Sequence, residues 1–250
     1  MNYDRISFYK DRIAINLLAK DRDNAVEVVE ALDGNALVGV LSKNFPDAEA
    51  CAKEVRYYLE KLPNVSVGMG DGDPTMAARA AQVAAMTDPG HVNQSFTEAM
   101  YCAGLLKASG CESTMSNCMI YPTGTPGTVQ ISTGCVSTFG EKGLVSVDTA
   151  LNMMKDVGLI SVKFFNMHGT EHLEELKVLA EGCARIGIPV IEPTGGLNPE
   201  NAVPVVKACL DAGVDRVMVH IYSSIIDKQT GKTDIDLAVK AYRNLQALVD

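Results

Sequence analysis

At 250 residues, with 47% hydrophobic and 21% charged residues, the chain has a globular composition and enough apolar surface to bury a large core. Its formal net charge of -9 disfavours nucleic-acid backbones and anionic membranes as partners. A local basic group or a set of free backbone amides can still hold a small anion, because the field inside a cleft outweighs the average.

No apolar run reaches the ~18 residues that a membrane span needs. The first residues, MNYDRISFYKDR, carry charges throughout and lack the apolar core of a secretory signal, so a cytoplasmic protein is expected. The seven cysteines, at 51, 102, 111, 118, 135, 183 and 209, form no CxxC pair and no cluster with histidine. Reduced thiols are therefore expected, with neither disulfides nor a metal site.

Along the chain, short β-branched or apolar runs alternate with longer amphipathic stretches. A strand over 13–18 precedes a helix over 23–32; 37–41 precedes 47–62, 65–69 precedes 74–86, and 92–96 precedes 97–108. The second half continues with 118–121 before 148–157, 161–165 before 171–186, 189–191 before 199–212, and 216–221 before 234–249. Eight strands that are apolar on both faces, each followed by a helix, predict a parallel sheet buried on both sides. Eight such units at this length predict a closed (β/α)8 barrel, a TIM barrel, as one domain over 1–250. The stretch 121–147 is too long for a simple connection and contains an expected hairpin at 128–133. Asp73-Pro74 and Asn198-Pro199 each place a capping side chain before a proline at the start of a helix, in loops at the carboxyl ends of strands where barrel enzymes build their sites.

Lys163, in Ser161-Val162-Lys163-Phe164-Phe165, is an amine within a strand poorly solvated on both faces. One reading is a structural lysine paired with an interior carboxylate. The other is imine formation, which needs a neutral amine; at a pKa of ~10.4 only about one lysine in a few thousand is neutral at pH 7. Burial beside aromatic rings, helped by a nearby cation such as Lys20 or Lys43, would lower that pKa. A second signal is Glu192-Pro193-Thr194-Gly195-Gly196-Leu197-Asn198-Pro199 after the seventh strand. Its paired glycines let the backbone approach an anion closely, and the loops after strands seven and eight often hold phosphate in such barrels. The eighth strand ends in His220-Ile221-Tyr222-Ser223-Ser224, offering hydroxyl donors at the same place.

Lys163-Phe164-Phe165, followed by Pro193-Thr194-Gly195-Gly196 with Pro199 and Asn201, resembles the KFF and PTGGxxPxN motifs of 2-keto-3-deoxy-6-phosphogluconate (KDPG) aldolases. INLLAKDRDNAVEVVEAL from Ile15 resembles their first βα unit. The whole chain, including LVGVLSKNFPD, HVNQSF, YPTGTPG and HIYSSIIDK, is similar to the divergent branch of that family associated with glucosaminate and related sugar-acid catabolism.

The resemblance implies a class I aldolase that cleaves KDPG to pyruvate and glyceraldehyde 3-phosphate without a cofactor, as a self-associating protein. It makes Lys163 the Schiff-base lysine and gives Thr194, Gly195 and Gly196 a part in anion binding; His220, Ser223 and Ser224, from their place at the end of the eighth strand, are expected to join them in binding substrate and phosphate. The family's carboxylate-binding arginine falls at Lys43, a point charge without a bidentate fork. Its catalytic glutamate falls at Gly39, so another proton carrier is needed. Glu192 is the first candidate, followed by Asp71, Asp73, His220, or a water held by Thr123, Ser223 or Ser224. Two other readings remain open. One is a divalent-metal aldolase using Asp71, Asp73, Glu192 and His220; the other is a phosphosugar-binding barrel without chemistry. An isomerase on the same fold would share the phosphate site but give Lys163 no role.

Overall fold

The computed structural model describes all 250 residues. Eight parallel strands close into a barrel: β1 (Ile13–Leu18), β2 (Ala36–Leu41), β3 (Val65–Gly68), β4 (Gly90–Val92), β5 (Met115–Ile120), then β8 (Ser161–Phe164), β9 (Val190–Pro193) and β10 (Arg216–His220), which returns to β1. The two remaining strands, β6 (Thr128–Gln130) and β7 (Leu144–Ser146), form a separate ribbon between β5 and β8.

Helices α1 (Arg22–Ala31), α2 (Ala48–Leu59), α3 (Ala77–Thr87), α4 (Phe96–Ala108), α5 (Val147–Asp156), α6 (Leu173–Ile186), α7 (Ala202–Asp211) and α8 (Ile235–Gln246) form the outer ring. Four start on a side chain that accepts a backbone N–H of the first turn, from Asp21, Asp47, Ser146 and Asp234, a contact worth about 1 kcal/mol in each case. No helix is long and apolar enough to cross a membrane.

The strands filling the barrel are less apolar than their sequence patterns imply. At the bottom, Ala14, Leu37, Met115, Val190 and Met218 pack with Ile6 and Phe8, so the charged amino-terminal segment contributes a hydrophobic plug. Higher up, Asn16, Ser66, His91, Asn117, Ser161, Glu192 and His220 are all buried. These residues explain two displaced boundaries. The fourth strand is Gly90–Val92 rather than 92–96, because Phe96 already opens α4. The fifth starts at Met115 rather than Cys118, its first turns being disguised by Ser116 and Asn117.

The stretch 121–147 does leave the barrel, but the expected hairpin at 128–133 is a different ribbon. Val129 pairs with Val145 in antiparallel register, so the returning strand is Leu144–Ser146. The intervening chain is drawn towards the barrel instead of folding straight back. Thr133 Oγ1 accepts the Phe96 N–H at 2.7 Å and donates to the Met119 carbonyl at 3.1 Å. Beyond that anchor Val136 and Phe139 stand 81% exposed.

Candidate functional site

At the carboxyl end of the strands lies a cavity of about 480 Å³. Its wall includes Lys163 from β8, Thr194, Gly195 and Gly196 from the loop after β9, His220 at the end of β10, and Tyr222 and Ser223 just beyond. With Asp71 at the rim, the structure thus brings together seven of the sequence-predicted residues around one space. Phe165 and Asn166 close one side and Leu18, Leu41 and Met69 another.

Lys163 is 6% exposed, and its Nζ donates to Asn93 Oδ1 at 2.8 Å. Burial lowers the ammonium from its ordinary 10.5 to about 8, against an opposing pull from the negative charge of Glu192. Asn93 is a neutral acceptor, so it fixes the amine without holding its proton as a carboxylate would. Asn93 is itself fixed, accepting from Asn117 Nδ2 at 2.9 Å and donating to Ser66 Oγ at 3.1 Å and the Val67 carbonyl at 3.2 Å.

Below the amine, Glu192 is fully enclosed and receives four donors. Its Oε1 accepts from Ser161 Oγ at 2.5 Å and His91 Nε2 at 3.1 Å; its Oε2 accepts from Asn117 Nδ2 and His220 Nε2, each at 2.8 Å. Burial pushes this carboxyl up, but the imidazoles of His91 and His220 outweigh that and hold it well below the usual carboxylate range. His220 is lowered as well, which leaves its imidazole neutral: desolvation, then the charge of Lys163, bring it to about 3 despite the Glu192 contact. A neutral imidazole that donates through Nε2 must accept through Nδ1, and the Tyr222 hydroxyl lies 2.8 Å from that atom. Tyr222 is raised from its ordinary value by burial, which keeps its hydroxyl protonated.

Across the cavity, Gly195 and Gly196 have φ of 110° and 67°. A Cβ on Gly195 would stand 1.8 Å from Asn166 Oδ1, and one on Gly196 2.7 Å from the Gly169 nitrogen, so packing and backbone both demand glycine. The Gly195 N–H faces the His220 carbonyl in the bridge between Thr194 and His220, the Gly196 N–H donates to no backbone carbonyl, and the carbonyls of the two glycines accept from Gly169 N and Asn201 Nδ2. Asn198 Oδ1 accepts from the N–H groups of Glu200 and Asn201, stiffening the turn that leads into α7.

Other predicted residues lie elsewhere. Glu192 does not reach the cavity wall, and all its contacts are internal. Ser224 Oγ donates to the Leu197 carbonyl at 2.7 Å and is absent from the wall. Lys43 lies over Gly70 at the rim, with its Nζ on Asp71. Asp73 accepts from Thr75 N at 3.0 Å as a turn cap. Thr123 Oγ1 donates to the Thr128 carbonyl at 3.1 Å in the excursion. Asp71, Asp73, Glu192 and His220, the ligand set a divalent ion would have required, therefore do not converge. Gly39, where a glutamate was expected, faces Leu18 Cδ2, which an added Cβ would approach to 2.9 Å. Sequence reasoning missed His91, Asn93, Asn117 and Ser161, and saw Tyr222 only as part of a hydroxyl-rich strand end.

A family model described as KDGP aldolase matches residues 9–229. The chain is 47% identical over 245 residues to the 2-dehydro-3-deoxy-phosphogluconate aldolase of Salmonella typhimurium (strain 14028s / SGSC 2262), covering 98% of this chain and 99% of that one. Among solved structures, a mutant tryptophan synthase alpha-subunit from Pyrococcus furiosus superposes with a TM-score of 0.60 at 14% identity, covering 96% of this chain and 100% of that one. KGPDC from Streptococcus mutans gives 0.56 at 10% identity with coverage of 96% and 100%. At such identities these two likenesses establish the barrel and nothing finer.

Proposed function

The chain belongs to the KDGP aldolase family, and from that premise we propose that it cleaves 2-dehydro-3-deoxy-6-phosphogluconate to pyruvate and glyceraldehyde 3-phosphate through an imine on Lys163. The observation that carries the chemistry is the Lys163 amine itself: buried, lowered to about 8, and held by a neutral amide at the wall of the cavity. At pH 7 roughly one such amine in ten is neutral, against about one in three thousand at 10.5, a gain in nucleophile of about 300-fold.

In this reading the amine attacks the C2 ketone, and loss of water leaves an iminium. That cation draws electrons from the C3–C4 bond, which breaks as the C4 hydroxyl loses its proton and becomes the aldehyde. Protonation of the enamine at C3 and hydrolysis release pyruvate. The substrate phosphate would lie on the free N–H of Gly196 with the Ser223 hydroxyl beside it, since an amide fixed in such a turn needs no reorganisation to meet an anion. Thr194 anchors that turn: its N–H donates to the Phe164 carbonyl at 3.0 Å and its Oγ1 to the Glu192 carbonyl at 3.2 Å. Lys43 would meet the substrate carboxylate at the rim only by exchanging its Asp71 partner. Glu192, enclosed and four-fold satisfied, serves here by orienting imidazoles. Phosphorylated sugar acids of this kind also make the cytoplasm the compartment we assign.

The test is to incubate the protein with pyruvate and borohydride and locate the reduced adduct by peptide mass spectrometry. Labelling at Lys163 is expected. Labelling at Lys20 or Lys43 would move the chemistry to another strand, and no labelling would defeat the imine reading.

A further inference from the structure

The reaction needs one group that can take a proton from the C4 hydroxyl and then return one to C3, within reach of the imine. Of the residues lining the cavity only Asp71, Lys163, His220 and Tyr222 can titrate. Lys163 is the nucleophile. Asp71 is held at the rim by Lys43, with its side chain 88% exposed. His220 has both ring nitrogens committed, Nε2 to Glu192 and Nδ1 to the Tyr222 hydroxyl, each at 2.8 Å. That leaves the Tyr222 oxygen. Its proton points to His220 Nδ1, the shorter of its two acceptor contacts, since Asn16 Oδ1 lies 3.4 Å away. Its lone pairs remain available to a donor in the cavity.

We propose that Tyr222 is the catalytic proton carrier, and that His220 and Glu192 form the relay that empties and refills it; the proposal rests on the aldolase reading above. As the C3–C4 bond breaks, the C4 hydroxyl gives its proton to Tyr222 Oη, and Tyr222 passes its own to His220 Nδ1. The electron pair of the broken bond enters the enamine and neutralises the iminium nitrogen of Lys163. One positive charge thus moves from that nitrogen to an imidazolium whose Nε2–H already rests on the Glu192 carboxylate. The buried cluster keeps the same net charge throughout, so no uncompensated ion is created in the barrel. In the second half the imidazolium returns its proton through Tyr222 to C3, restoring the iminium for hydrolysis. The arrangement has the logic of a nucleophile–imidazole–carboxylate triad, with the phenol in the place of the nucleophile and the carboxylate stabilising the imidazolium without itself taking the proton. It also accounts for a barrel interior that spends Ser161, Asn117 and His91 on locking one carboxylate in place.

The test compares the protein with Tyr222→Phe in three measurements: the end point of pyruvate–borohydride labelling at Lys163, exchange of pyruvate methyl hydrogens in D2O followed by proton NMR, and aldol cleavage. The expected result is full labelling in both proteins, with exchange and cleavage about 100-fold or more slower in the variant, the range that general acid–base groups contribute. Full labelling with exchange within threefold of the parent would overturn the proposal. If the variant fails to label, the parent protein decides alone: its exchange rate in H2O/D2O mixtures should bow below a straight line because two protons move, and a straight line would refute the relay. Failure of the parent to label at Lys163 would instead sink the aldolase reading.

Discussion

Replacing Lys163 with methionine is expected to stabilise the protein while abolishing its chemistry. The folded chain lowers this ammonium from 10.5 to about 8, chiefly by burial. At ~1.4 kcal/mol per unit the protonated lysine costs the fold about 3 kcal/mol. Because the unfolded chain binds that proton more tightly, the cost is full below pH 8 and fades as the pH rises towards 10.5. Methionine has similar volume, carries no charge, and leaves Asn93 Oδ1 with the Asn117 amide as partner, so no buried acceptor is orphaned. For a domain of this size each kcal/mol moves Tm by about 2–4 °C, giving a ceiling of roughly 6–12 °C at pH 7. Calorimetry of both proteins from pH 7 to 10 is the assay, and the gap should narrow as the pH rises. A variant no more stable than its parent at pH 7, or a gap indifferent to pH, would refute the reasoning that this amine is desolvated.

Gly195→Ala places a methyl 1.8 Å from Asn166 Oδ1 at a φ of 110°; cleavage should fall about 100-fold or more, with strain of about 1–3 kcal/mol visible in thermal denaturation. Glu192→Ala leaves four buried donors without their acceptor and should destabilise by about 3–5 kcal/mol in urea unfolding; a loss below 1 kcal/mol would show that water enters the barrel freely. Val136 and Phe139 are each 81% exposed on the excursion; if they cover a contact between copies of this chain, the parent should exceed monomer mass in light scattering and Val136→Ser with Phe139→Ser should lower it. A monomeric parent would rule out that contact.

All eight βα units were legible because every helix but α4 carries an apolar stripe and four of them a capping Asp or Ser. The strands were harder wherever the barrel interior is polar. His91 in β4 and Ser116-Asn117 in β5 interrupted the apolar runs and shifted both boundaries, although the interruption was itself the signal. A lone polar residue on the inner face of strand after strand, at Asn16, Ser66, His91, Asn117, Ser161, Glu192 and His220, marks a barrel with a hydrogen-bonded layer instead of a dry one. Lys163 and the 194–196 turn were readable because each breaks a local rule: an amine in a core strand, and two glycines where a helix begins. What spacing could not reveal is which of these groups meet. Glu192 draws its partners from β4, β5, β8 and β10, residues 28 to 101 positions away along the chain. Tyr222 was read as part of a hydroxyl-rich strand end because nothing local shows that its oxygen lies on an imidazole.

The central claim is that the Lys163 amine is already poised for imine formation near neutral pH. Its most direct test is the initial rate of pyruvate–borohydride labelling at Lys163 as a function of pH, with peptide mass spectrometry isolating that site from the other lysines. The rate should rise with a midpoint near 8. A midpoint near 10.5 would show an ordinary, solvated lysine.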